Sequence, residues 1–226
     1  MADITIYIGN RAYSSWSLRA WLPLKQLGLP FDEIMIPLYE YGSKSLILKQ
    51  SPSGKVPALK HRDRVVWESL AIGEYLAEQF PAARLWPEHQ GARALARAVS
   101  AEMHAGFANL RRELAMNLRR IIPGRRFGAD CLAEIERIQA IWRDCRVYHG
   151  AEGPFLFGHF TIADAMYAPV VTRFRTYGIA LDPVCAAYAE AIQALPAMQA
   201  WSESARAETI VIDKFEYEPG GSIQGD

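Results

Sequence analysis

Cysteine is scarce and unevenly placed. The 226 residues contain three, Cys131, Cys145 and Cys185, with none in the first half and no Cys-x-x-Cys pair. An odd number without that spacing excludes a disulfide framework or a dithiol redox centre and reads as a reduced, cytoplasmic chain. A charge of one sign is also missing. Lys plus Arg and Asp plus Glu stand at 25 each, so no bulk field draws the chain to nucleic acid or to an anionic membrane. No apolar run reaches transmembrane length, and "MADITIYIGN" lacks a basic start followed by a long apolar stretch, so neither a membrane span nor a secretory leader is expected. No His/Cys/Asp cluster has metal-ligand spacing, and no glycine loop is built for phosphate. A resident metal is not expected.

Apolar residues make up half the chain, enough for a substantial core. The first eighty residues alternate in period. "ITIYIG" (4–9) and "FDEIMIPL" (31–38) read as strands. "SWSLRAWLPLKQLG" between them reads as a helix with an apolar face, although Pro23 removes a backbone donor and should bend it. Residues 42–50 suit a short helix. Runs 56–61 and 64–67 form a hairpin about Arg62–Asp63, and 68–80 is helical again. The expected architecture is α/β, βαβαββα with a four-stranded mixed sheet, over residues 1–81. "PAARLWPEHQG", with two prolines and a glycine, marks a linker at 82–90. Residues 91–226 then read as an all-helical domain. It contains one long amphipathic helix over 92–120, another over 131–150, and a third, more apolar one over 160–178 with a kink at Pro169. Two shorter helices and a loosely held polar tail, "EYEPGGSIQGD", complete it.

Three stretches carry hydroxyls or carboxylates where chemistry can use them. "YSSWS" places Ser14 and Ser15 at a strand-to-helix junction, where free N–H groups and the helix dipole favour an anion. A serine there either caps the helix or donates to a ligand. In "GKVPAL", a cis Val56–Pro57 bond would turn the Val56 backbone outward to pair with an extended peptide. An ordinary trans strand start is the other geometry open to it. In "ESLAI", Glu68 and Ser69 begin a helix, fit to take an ammonium and a carboxylate or simply to cap.

In this order, over the whole chain, these stretches resemble the glutathione transferase family, whose thioredoxin-like domain precedes a helical one. "FTIADA" resembles the capping box of that helical domain, with Thr161 as cap, Asp164 three residues on and Phe160 as staple. "SSWSLR" is similar to the zeta-class Ser-Ser-Cys-Ser-Trp-Arg, and "AGFANLRR" to Ala-Gly-Ile-Gln-Pro-Leu-Gln-Asn. Here Trp16 stands for the cysteine, Leu18 for the tryptophan and Arg111 for the glutamine.

The resemblance implies a bacterial, serine-type, zeta-like transferase or maleylacetoacetate isomerase, with glutathione as co-substrate. It also implies a homodimer in the cytoplasm. Ser14 would stabilise the thiolate beside Ser15. Lys55, Val56, Pro57, Glu68 and Ser69 would hold glutathione. Trp16, Met103, His104, Phe107, Arg111, Arg173 and Tyr177 would line the second-substrate pocket. Tyr7 and Tyr13 are rival thiolate partners. The arginines at 111, 112, 119, 120, 125 and 126 read as a solvated face or as a site for a carboxylated electrophile. Two other functions fit the same fold: a non-catalytic interaction module and a glutathione-dependent peroxidase.

Overall fold

The computed structural model describes residues 3–218. Strand β1 (Ile4–Ile8) is followed by α1 (Ser15–Gln26), β2 (Asp32–Met35), α2 (Ser43–Leu48), β3 (Ala58–His61), β4 (Arg64–Trp67) and α3 (Ser69–Gln79). The sheet order is β2-β1-β3-β4. β1 runs parallel to β2 and antiparallel to β3, and β3 and β4 form the hairpin. Parallel β1 and β2 need a crossover, and α1 supplies it. The apolar side chains Ile4, Ile6 and Ile8 alternate along β1 into the main core, with Tyr7 on the other face among Ile36, Ile47 and Ala58.

A short 3-10 turn at Pro81–Ala83 leads into the helical part: α4 (Gln90–Ala105), α5 (Ala108–Glu113), α6 (Ala129–His149), α7 (Ile162–Tyr177), α8 (Pro183–Ala194) and α9 (Pro196–Ala207). Helix α7 is the centre. Every residue but Arg175 is buried, because α1, α4 and α8 pack around it. The hydrophobic core is therefore continuous from the sheet through α1 into the helical bundle. The capping box is formed. Asp164 accepts from the N–H and hydroxyl of Thr161, and also from Leu156 N–H, at 2.7–3.0 Å.

Two expectations are corrected. Residues 92–120 do not make one helix. Gly106 leaves the helical path, Phe107 adopts a positive φ of 59°, and the six-residue α5 follows before an irregular stretch. The restart is stabilised from a distance, because the Glu134 carboxylate on α6 accepts from the N–H groups of Asn109 and Leu110. The apolar periodicity continues across the break, so pattern alone joins the two helices. The tail is not loose at its start. Glu216 accepts from the Tyr13 hydroxyl and from Asn117, and the Tyr217 hydroxyl donates to the Arg112 carbonyl. The remainder of that tail, 219–226, lies outside the described residues.

Candidate functional site

Two adjoining cavities form a groove along the N-terminal end of α1. One, of about 330 Å³, is lined by Trp16, Ser53, Lys55, Val56, Pro57, Glu68 and His104. The other, of about 390 Å³, is bounded by Ser14, Tyr39, Lys44, Gly54 and their neighbours, and shares Trp16, Lys55 and Val56 with the first. The Val56–Pro57 bond is cis.

Ser14 is the N-cap of α1. Its oxygen accepts from Ser17 N–H and its hydroxyl meets the Ser17 hydroxyl at 2.8 Å, while Ser17 Oγ also accepts from Gly9 N–H. Ser14 faces the groove from this network. Ser15 faces the other way and accepts from the Arg173 guanidinium at 3.2 Å. The loop carrying Ser14 is clamped from the C-terminal part of the chain. The Glu208 carboxylate takes the N–H groups of Arg11 and Ala12, Trp201 Nε1 donates to the Arg11 carbonyl, and Leu118 N–H donates to the Ala12 carbonyl.

Of the rival tyrosines, Tyr7 is buried in the sheet core and Tyr13 donates to Glu216. Burial, reinforced by that carboxylate, pushes the Tyr13 phenol up to about 12.

At the far end of the groove Glu68 is the N-cap of α3, with φ 72° and ψ 126°. A non-glycine residue in that region stores strain, which persists where the surroundings impose it and gathers at ligand clamps. Ser69 begins the helix. The residue is 1% exposed and its hydroxyl has no hydrogen-bond partner among the described residues, a costly arrangement for a buried polar atom that a bound acceptor would relieve. His104, in the last turn of α4, sets Nε2 3.3 Å from the Glu68 carboxylate and packs edge-on against Trp16. Its pKa is lowered, first by burial and then by Arg19 and Arg111, with Glu68 opposing.

Behind Trp16 sits a feature that the sequence reading missed. Arg19 is 1% exposed inside α1. Its guanidinium carbon lies 4.5 Å from the Trp16 ring centre, Nε donates to the Met166 carbonyl, and Nη1 has no hydrogen-bond partner among the described residues. Burial first, then repulsion from Arg173 and Arg111, lowers it to about 9. Arg173 is likewise lowered to about 10, by burial foremost. Neither Arg19 nor Arg173 forms an ion pair among the described residues, whereas Glu134 opposes the effect of burial on Arg111. Buried cations without counter-ions are costly and mark a place suited to an anion. An arginine on the apolar face of "SLRAWL" was the available signal.

The remaining pocket candidates separate. Trp16 and His104 line the groove. Arg111 packs 5.7 Å from the Trp16 ring centre and donates to the Met103 carbonyl. Met103, Phe107 and Tyr177 are core residues, and the Tyr177 hydroxyl is spent on the Ala115 carbonyl. Arg173 points inward to Leu114 and Ser15 rather than into a cavity. These four are corrections. The chain at 114–118 lies across the C-terminal half of α7 and takes up Arg173 and Tyr177, two of the side chains that the resemblance had assigned to an open pocket. The arginine cluster also disperses. Arg112 turns to Asn109, Arg119 to the Ile210 carbonyl, Arg120 to Glu216, and Arg125 stacks on Tyr217.

The three cysteines are all buried, and burial above all pushes each thiol up to about 12. A disulfide reagent at neutral pH is expected to label none of them until denaturant is added; rapid labelling of the folded chain would contradict this.

Residues 13–79 match the family model described as "Glutathione S-transferase, N-terminal domain", and 93–204 match "Glutathione S-transferase, C-terminal domain". The chain belongs to the glutathione S-transferase family. It is 28% identical over 182 residues to glutathione S-transferase GstB of Escherichia coli, covering 79% of this chain and 87% of that protein. A probable maleylacetoacetate isomerase of Caenorhabditis elegans is also 28% identical, over 79% of this chain and 82% of its own length. Among solved structures, a Burkholderia glutathione transferase homologue with bound glutathione superposes with a TM-score of 0.69 at 28% identity, over 90% of this chain and 98% of its own. In this transferase, no helix among the described residues is long and apolar enough to cross a membrane.

Proposed function

We propose that the groove binds glutathione, that Ser14 stabilises its thiolate, and that the thiolate attacks a small carboxylated electrophile. The observation that carries this is the buried, unpartnered Ser69 hydroxyl at the start of α3. It directly follows Glu68, which lines the groove with Val56, while Ser14 bounds the adjoining cavity, so one end suits the amino-acid part of glutathione and the other its sulfur. In this reading Ser69 and the α3 N-terminus take the γ-glutamyl carboxylate, Glu68 its ammonium, Val56 and Pro57 the cysteinyl segment, and Lys55 the glycine carboxylate. Ser15 supports the site through Arg173.

At Ser14 the proton now directed to Ser17 turns toward sulfur, and Ser17 donates to Ser14 in exchange. Gly9 N–H continues to hold Ser17. A free thiol ionises near pH 8.5, and holding it about two units lower takes roughly 2.7 kcal/mol, within reach of a hydroxyl plus a helix N-terminus. The sulfur lone pair forms a C–S bond, and the displaced electron pair moves onto the electrophile. Protonation there gives a conjugate. Rotation about the adduct's single bond followed by thiolate loss gives an isomer. Arg19 and Arg111 behind Trp16 make the substrate end of the groove favourable to a carboxylate. The same reading makes the protein a cytoplasmic homodimer.

Calorimetric titration with glutathione, beside an absorbance titration of the bound thiolate, tests this. Saturable binding with a thiol pKa well below 8.5 is expected. Absence of binding would overturn it and return the fold to the role of an interaction module.

A further inference from the structure

A further cavity lies apart from the groove. It measures about 620 Å³ and lies between residues 118–121, the C-terminal half of α7, Gln193 of α8 and one face of α9. Its charged lining is Arg119, Arg120, Arg175 and Arg206 against a single carboxylate, Glu203. Among the described residues two of the guanidiniums meet only neutral acceptors: Arg119 the Ile210 carbonyl, and Arg175 the Gln193 side chain. Arg120 pairs with Glu216 and Glu218 outside the lining. Arg206 has no hydrogen-bond or ion-pair partner among the described residues. The rest of the wall is mainly hydroxyl and amide, from Thr172, Thr176, Gln193, Gln199 and Ser202, and it contains no aromatic ring.

We infer that this cavity is a second, separate binding site for a compact, non-aromatic polyanion. Several arginines converging on one concave surface suit an anion with several charged oxygens, because each guanidinium presents a planar fork of donors. The volume falls within the range of small-molecule sites. The lack of a ring to stack on disfavours a nucleotide base, while Gln199 and Ser202 offer donors to further oxygens on the ligand; the Thr172 and Thr176 hydroxyls are spent on the Pro169 and Asn117 carbonyls. The wall is continuous with the Ser14 loop, since Arg119 N–H donates to Asn117, and Asn117 shares the Glu216 carboxylate with Tyr13.

Calorimetric titration of the full chain with pyrophosphate and with citrate, at low and at physiological ionic strength, separates phosphate from carboxylate ligands. One-to-one binding of at least one of them is expected. Arg175→Glu and Arg206→Glu should each weaken it tenfold or more, with unchanged melting temperatures and unchanged glutathione binding. Arg111→Ala, behind Trp16 and away from this cavity, should leave it intact. Failure of both anions to saturate would overturn the inference. So would binding indifferent to Arg175→Glu and Arg206→Glu, or binding lost in Arg111→Ala.

Discussion

Ser14→Ala is expected to leave glutathione affinity nearly unchanged at about pH 6.5 and below, to lose affinity progressively as pH rises above that, and to abolish most of the activation of the thiol. The hydroxyl contributes to the thiolate rather than to the peptide, so the loss belongs in kcat and in the pH profile more than in KM. If the wild-type thiol ionises about two units below 8.5, the variant's thiolate fraction falls roughly fifty-fold near pH 6.5 but only slightly near pH 9. Turnover of a general electrophile across that range checks this. Ser15→Ala is the informative contrast, because its oxygen meets Arg173 and not the groove. A Ser15→Ala variant with the larger pH-dependent loss would transfer the role to Ser15. Equal, pH-independent losses in both would mean that neither hydroxyl meets the sulfur.

Asp164→Ala is expected to be the most destabilising single truncation outside the hydrophobic side chains. The carboxyl is fully buried and accepts from Leu156 N–H, Thr161 N–H and the Thr161 hydroxyl. Truncation removes the cap of the central helix and leaves those donors without partners. The expected cost is about 3 kcal/mol, or a melting temperature roughly 6–12 °C lower for a chain of this size. Its pH dependence has a definite sign. Burial holds the carboxyl up at about 6 despite its donors, above its unfolded value of about 3.9. The folded state therefore binds the proton more tightly. That contribution is complete below about pH 4 and is lost as pH rises through about 6, so the gap between wild type and variant should be wider at pH 5 than at pH 7, by about 1 kcal/mol. Urea unfolding at both values measures it. An equal gap would show that the donors, not burial, set this carboxyl.

The parts of the fold that were legible share a short range. The alternation of apolar residues in β1, the turn at Arg62–Asp63 and the box Thr161–Asp164 each depend on neighbours within a few positions, and each formed where the pattern put it. Pro23 and Pro169 both lie within helices, because tertiary burial of α1 and α7 outweighs a missing donor. The helix over 92–120 failed for a long-range reason. Glu134 offers its carboxylate to the start of α5, and nothing near Gly106 in the sequence announces that partner.

The candidate site divides along the same line. Sequence by itself determined that hydroxyls stand at the starts of α1 and α3 and that a proline follows Val56, because helix starts and X–Pro bonds are local properties of the chain. Only the tertiary structure decided that Ser14 faces the groove while Ser15 faces Arg173. It also decided that Arg173 and Tyr177 are tied to 114–118, that Met103 is buried in the core, and that Arg19 sits with two other arginines behind Trp16. Side-chain direction at a helix end, and the charge that surrounds a buried group, are set by elements far apart in the chain packing into one core.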